Sequence, residues 1–298
     1  MRGIIPSLNT PFNADGAIDH VSLRRLINHT VNAGCGGMLG LAVAGEHSTL
    51  NQDEKARFVE TVVATNAGRI PFIVSVTASE MNESVALTKL AKSVNAAGIC
   101  VQLPAHFDRL QNKEFLENIA AQAPDLLMVQ DLDWVGDGLL IDDILYLYER
   151  IEQFSWLKIE TQRAGPKYSA ILEATKGNLQ VCGGWAVTQL MDAMARGVHA
   201  FIPTGMEYVY VAIQALYENG NKDAARALFE RVLPILNFSN QDIGTSILFF
   251  KQLRAAEGLF ETSLCRAADA KFDAIQTLEA HIALNSALDM IRSHTPGD

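Results

Sequence analysis

Eight times along this chain a short apolar run is followed by a longer amphipathic stretch, and that alternation restricts the fold more than any other feature. The runs lie at residues 4–8, 37–41, 71–76, 99–103, 126–130, 156–160, 179–182 and 200–202. Helical spacing of apolar positions follows them at 21–33, 52–67, 82–97, 112–122, 141–151, 166–176, 188–196 and 207–218. Strands separated by helices of this length pair in parallel, and eight such units close into an α/β fold, the (β/α)8 TIM barrel. Past about residue 220 the alternation stops, and 222–236, 241–257 and 267–292 read as helices with no strand between them. The predicted organisation is a barrel over 1–220 and a C-terminal helical extension over 221–298 packed on it.

Glycines and capping residues punctuate the pattern. Gly34, Gly98 and Gly197 are expected to end helices shortly before the next strand. Asn51, ahead of Gln52-Asp53-Glu54, and Thr188, after Gly183-Gly184, are expected N-caps. Chemistry on such a barrel sits at the C-terminal ends of its strands, so the residues to weigh are those at the strand-to-helix junctions.

One junction stands out. Trp156-Leu157-Lys158-Ile159-Glu160 places an amine and a carboxylate two residues apart in an apolar strand. Alternation sends Lys158 and Glu160 to one face and Leu157 and Ile159 to the other. A lysine is seldom buried without a partner or a task. Two readings stand: a structural ion pair with Glu160, or an amine kept out of bulk water for chemistry. They make opposite demands, because a touching carboxylate raises a lysine's pKa whereas burial lowers it and frees the lone pair. A nucleophilic Lys158 therefore requires the two groups to stand apart, or the glutamate to be protonated.

The formal net charge of −10 argues against a nucleic-acid or anionic-membrane surface, and no apolar run reaches the length of a membrane span. Small-molecule chemistry is what remains. Cys35, Cys100, Cys182 and Cys265 are too scattered for a CxxC pair and too few for a disulfide framework, so reduced thiols in a soluble, unprocessed, cytoplasmic protein are expected. The seven histidines form no HxH or HExxH spacing, and neither a metal nor a cofactor is expected.

Four stretches carry a resemblance. They are Ile4-Ile5-Pro6-Ser7-Leu8-Asn9-Thr10-Pro11-Phe12 with Asp15-Gly16 and Asp19; Ala42-Val43-Ala44-Gly45-Glu46 with Leu50 and Glu54; the lysine of the sixth run; and Gly183-Gly184 after the seventh. On these the chain resembles, over essentially its whole length, the dihydrodipicolinate synthase and N-acetylneuraminate lyase family of class I, Schiff-base-forming aldolases. The resemblance implies that Lys158 forms an imine with the ketone of a 2-oxo acid such as pyruvate. The iminium then draws electrons from C3 and supports aldol cleavage, condensation or β-elimination. It also implies that the backbone N–H groups of Val43, Ala44 and Gly45 receive the substrate carboxylate, that Gly183, Gly184 and Gly205 leave room beside the imine, and that the chain forms a homotetramer, a dimer of dimers.

The departures from that family matter as much. Gln130 stands where the family has its tyrosine, Val43 and Ala44 where it has paired threonines, and His106 where it has a second tyrosine. Val135 or Gly136 falls where synthases carry an arginine. An amide cannot shuttle a proton, so proton transfer is expected to pass to His106 or Glu160, with Gln130 orienting a hydroxyl or a water. Asp131 is expected to bind a sugar-acid hydroxyl, Glu46 to pin its loop, and Arg163 and Lys167 to be surface cations or anion binders. The expected function is a lyase acting on a 2-oxo acid, a deoxy sugar acid or hydroxylated analogue, and not a dihydrodipicolinate synthase. Two alternatives stand: a dehydratase using the same imine, and a catalytically silent barrel serving binding or assembly.

Overall fold

The computed structural model describes residues 1–104, 106–122, 124–184, 187–267 and 271–296. Strand and helix alternate as the apolar runs predict: β1 (Gly3–Ile4), α1 (His20–Asn32), β2 (Met38–Gly40), α2 (Gln52–Asn66), β3 (Phe72–Ser75), α3 (Met81–Ser93), β4 (Gly98–Gln102), α4 (Arg109–Ala120), β5 (Leu127–Asp133), α5 (Ile141–Tyr148), β6 (Phe154–Thr161), α6 (Ala164–Ala174), β7 (Gln180–Gly183), α7 (Leu190–Ala195), β8 (Ala200–Phe201) and α8 (Glu207–Glu218). Three further helices follow, α9 (Lys222–Ser239), α10 (Ile243–Ala256) and α11 (Ala274–His294). This is the connectivity of a (β/α)8 barrel with a C-terminal helical extension. Among the described residues no helix is long and apolar enough to cross a membrane.

Two compact units make up the chain, Met1–Arg2 with Pro71–Ile202, and Gly3–Ile70 with Pro203–Asp298. In the first, β3 to β8 lie side by side and parallel in chain order. Every residue of β3 is buried, and so are Leu127–Asp131 and nearly all of β6, as expected of parallel strands covered on both faces. The longest ladder joins β5 to β6, from Met128↔Trp156 through Gln130↔Lys158 to Asp133↔Thr161. Both strands run further than their apolar runs alone indicate, which carries the sheet past Lys158 and fixes the direction of every side chain there.

The second unit holds β1, β2, α1, α2 and α8 to α11. Its helix α2 starts on the expected cap: Asn51 Oδ1 accepts from Glu54 N at 2.9 Å, and Glu54 Oε2 accepts from Asn51 N at 3.0 Å. Buried ions tie its helices. Arg254 donates to Glu207 at 2.9 Å and to Glu257 at 3.1 Å, and His29 Nε2 lies 3.3 Å from Glu207. Burial works against the Glu207 carboxylate, but Arg254 and His29 beside it hold it well below the usual range.

Three expectations need correction. Thr188 does not cap α7, which begins at Leu190 behind Gln189 with no side-chain cap. Gly98 ends no helix: it opens β4, where a Cβ would come within 2.7 Å of Leu126, and the left-handed residue after α3 is Asn95. The last helix begins at Ala274, capped by Asp273, later than the sequence pattern indicates; positions 268–270 lie outside the described residues.

Candidate active site

The register of three strands builds a polar cluster inside an apolar sheet. Gln130 of β5 pairs with Lys158 of β6, which pairs with Cys182 of β7. Residues paired across parallel strands share a face, and Glu160, two residues beyond Lys158, shares it too. Lys158 Nζ lies 2.9 Å from Glu160 Oε2, with only 5% of the lysine side chain and 10% of the glutamate side chain exposed. Gln130 Nε2 donates to the same Oε2. One carboxylate oxygen thus serves both the amine and the amide.

The required separation of Lys158 and Glu160 is therefore not what the structure has. Burial acts to lower the lysine's pKa, but the touching carboxylate outweighs it and the net direction is upward, so Lys158 rests as an ammonium. Two neutral thiols also lie beside it. Burial pushes Cys100 up to about 12 and Cys182 well above the usual thiol range, and Cys100 Sγ sits 4.0 Å from Gln130 Oε1. The cysteines were not expected here, yet the register finds them, since Cys182 stands opposite Lys158 once β6 and β7 are aligned.

Asp131 is a correction. Following Gln130 along β5, it turns to the opposite face, where Lys167 of α6 donates to it at 2.6 Å and Leu139 N donates to it at 2.8 Å. Lys167 also donates to the carbonyls of Leu139, at 2.8 Å, and Asp137. Both side chains are buried, so Asp131 is no hydroxyl binder and Lys167 no surface cation. Arg163 does lie at the surface, 2.7 Å from Asp137.

The glycine pair divides in the same way. A Cβ on Gly183 would come within 2.9 Å of Tyr168 Oη, whereas a Cβ on Gly184 would sit inside the Glu160 side chain. Only Gly184 belongs to the cluster. Its neighbours Trp185 and Ala186 lie outside the described residues. His106 is exposed in the turn after β4, edge-on to Phe107 with ring centroids 4.8 Å apart.

The remaining sites belong to the second unit. Val43, Ala44 and Gly45 form one 3₁₀ turn. Gly45 N is spent on Ala42 O at 2.9 Å, which corrects its expected role as a carboxylate donor. Glu46 pins the turn as expected: it is buried, ion-paired to Lys251, and accepts from Arg266 N at 2.7 Å and Ala267 N at 3.3 Å. Gly205, with φ +74°, packs against Phe250, where a Cβ would come within 2.6 Å, so its role is in helix packing. Among the described residues no group of three or more His, Cys, Asp or Glu is placed to hold a metal ion.

The geometry is thus a buried amine, its carboxylate and an amide at the C-terminal end of barrel strands. The L-2-keto-3-deoxyarabonate dehydratase of Azospirillum brasilense is 28% identical over 267 residues, which is 87% of this chain and 85% of that protein. In structure, the dihydrodipicolinate synthase of Rhodopseudomonas palustris superposes with a TM-score of 0.87 at 22% identity, covering 96% of this chain and 97% of that one. The N-acetylneuraminate lyase of Proteus mirabilis superposes with a TM-score of 0.84 at 17% identity, covering 96% and 98%. At such identities the superpositions establish the barrel alone. The family model of the dihydrodipicolinate synthetases matches residues 1–285, and the chain belongs to that family of lyases and aldolases.

Proposed function

We propose that this chain is a Schiff-base lyase acting on a hydroxylated 2-oxo acid, with Lys158 as the nucleophile and Glu160 as the group that moves its protons. The observation that carries the reading is the 2.9 Å contact between Lys158 Nζ and a Glu160 oxygen that Gln130 also holds. An ammonium cannot attack a ketone, so the first event is transfer of a proton from Nζ to Glu160. That transfer replaces two buried charges by two neutral groups, which a site shielded from water tolerates far better than either charge alone. The free amine then attacks C2, and the carboxylic acid returns its proton to the departing oxygen as water leaves and the iminium forms.

With the iminium in place, Glu160 is again a carboxylate beside the reacting carbons. Accepting the proton of a C4 hydroxyl breaks the C3–C4 bond and leaves the electron pair on C3, which is aldol cleavage. Gln130 works by direction, holding one oxygen of Glu160 toward the imine, since an amide has no proton to exchange at neutral pH. Gln130 in place of a tyrosine also supports a reaction other than dihydrodipicolinate synthesis.

A second reading has a specific observation behind it. The relative aligned over 87% of this chain is named a dehydratase. Removal of a C3 proton by Glu160, followed by loss of the C4 hydroxide with the returned proton, is dehydration through the same imine. The test is incubation with a panel of 2-oxo acids and 2-keto-3-deoxy sugar acids, borohydride reduction, and peptide mass spectrometry with product analysis. Cleavage yields pyruvate and an aldehyde; dehydration yields a product lighter by one water. A folded wild-type protein that gives no Lys158 adduct across the panel refutes both readings and leaves a silent barrel. Assembly as a homotetramer in the cytoplasm completes the proposal, and light scattering tests the tetramer.

A further inference from the structure

We infer that Gly184 is a positioning residue, whose missing side chain provides the slot in which the Glu160 carboxylate lies against Lys158 and Gln130. The three atoms that a Cβ at this position would meet first are Glu160 Oε1, Cγ and Cδ, all closer than any real Cβ contact. Conformation is not the reason for glycine here, because Gly184 lies outside the left-handed region in which glycine is favoured. Nor can the backbone retreat easily: Gly184 N donates to Ile159 O at 3.2 Å, and Gly184 O accepts from Val187 N at 3.0 Å. An alanine would therefore be resolved by moving the glutamate, the flexible partner, off its oxygen's two contacts.

Gly183 gives the contrast. Its would-be Cβ meets Tyr168 on the face turned to α6, so Gly183, the last residue of β7, and Gly184, just past it, face opposite ways. The inference rests on the reading of Glu160 as the proton acceptor of Lys158, but its geometry can be tested without turnover. Among the described residues, the ionisable groups acting on Nζ are Glu160, Cys100 and Cys182. Both thiols are held neutral by burial, so moving Glu160 leaves burial as the main influence, and burial favours the uncharged amine.

The experiment is reductive methylation with formaldehyde, which requires a neutral amine, followed at Lys158 by peptide mass spectrometry across pH. It is run on the wild type, Gly184→Ala, Glu160→Ala and the double variant. Gly184→Ala is expected to lower the pH midpoint of modification by at least about one unit, tenfold in proton affinity. Glu160→Ala is expected to lower it as far, and Gly184→Ala added to Glu160→Ala to leave it unmoved, because a residue that acts through another has no effect once that other is gone. An unshifted midpoint in Gly184→Ala, or a further shift of the same size in the double variant, overturns the inference. Should Gly184→Ala fail to fold, the double variant decides: folding restored by the vacated space supports the slot, and continued failure overturns it. Pyruvate with borohydride on the same wild-type sample reports separately on the Schiff base. A missing pyruvate adduct counts against the catalytic reading and leaves the methylation result standing.

Discussion

Replacing Glu160 by glutamine is the sharpest perturbation of this site, because it keeps the shape and one accepting oxygen and removes one charge. The oxygen it neutralises lies 2.9 Å from Lys158 Nζ, in side chains 5% and 10% exposed. At an effective dielectric of about 20, two unit charges at that distance attract by about 6 kcal/mol. Even a quarter of that moves an ionisation midpoint by about one pH unit. Lys158 in Glu160→Gln keeps its burial and loses its counter-charge, so its pKa falls and the amine is neutral at lower pH than in the wild type. The cost in stability follows the same sign: the unfolded lysine titrates at its ordinary 10.5. The variant's deficit is therefore full near neutral pH and shrinks as pH rises from the lowered folded value toward 10.5. Catalysis moves the other way, since the free amine has lost its proton partner, and turnover is expected to drop by roughly 10²–10⁴. The assays are the pH dependence of Lys158 methylation and single-turnover kinetics on whichever 2-oxo acid the panel identifies. A methylation midpoint that stays or rises, or turnover that survives intact, would refute the reasoning.

Lys158→Ala is expected to abolish borohydride trapping while circular dichroism and the melting transition show a folded barrel; equal trapping in the variant assigns the imine elsewhere. Lys167→Met leaves Asp131 buried without its cation and is expected to cost about 3–5 kcal/mol in urea unfolding, whereas a role at the surface predicts almost nothing. Glu207→Gln tests the buried network of the second unit. The folded-state pKa of Glu207 is depressed, so its contribution is present above the ordinary value near 4.5 and is lost as pH falls below it. The stability gap between wild type and variant is expected to hold from neutral pH down to about pH 5 and to close in more acid solution; a gap independent of pH would remove Glu207 from the acid-sensitive set.

Much of the barrel is legible because a strand-helix alternation is a property of local sequence, and every strand overlaps its apolar run. Caps written in short motifs, such as Asn51 with Glu54, are legible for the same reason. What failed was side-chain direction at strand ends. Ending β5 at Gln130, where the apolar run stops, releases Asp131 into a loop free to face a substrate. The actual strand continues to Asp133, and two-residue alternation then turns Asp131 toward α6. The same alternation forbids Gly183 and Gly184 from serving one ligand. Partners distant in sequence, such as Lys251 for Glu46, leave no local signal, because packing of separate helices brings them together.

The contact between Lys158 and Glu160 was posed as the arrangement that would disarm the lysine, and the structure has it. Whether it disarms depends on what else surrounds the amine. A purely structural pair gains from as many hydrogen bonds as its lone pairs can accept, and the buried pair of Asp131 and Lys167 follows that rule: the amine has two carbonyl partners besides its aspartate, and the aspartate has a backbone N–H. Around Lys158, Gln130 and the amine converge on a single oxygen of Glu160. The other oxygen lies in the space where Gly184 has no side chain. In the proposed chemistry the oxygen shared by the amine and the amide is the one that takes the lysine's proton and returns it. The two buried pairs thus differ around the amine: Lys167 Nζ donates to two carbonyls as well as its aspartate, and Lys158 Nζ stands beside Glu160 and two neutral thiols. If the distinction is right, borohydride in the presence of a 2-oxo acid traps an adduct on Lys158 and none on Lys167. Absence of an adduct at both would make Lys158 a second structural pair.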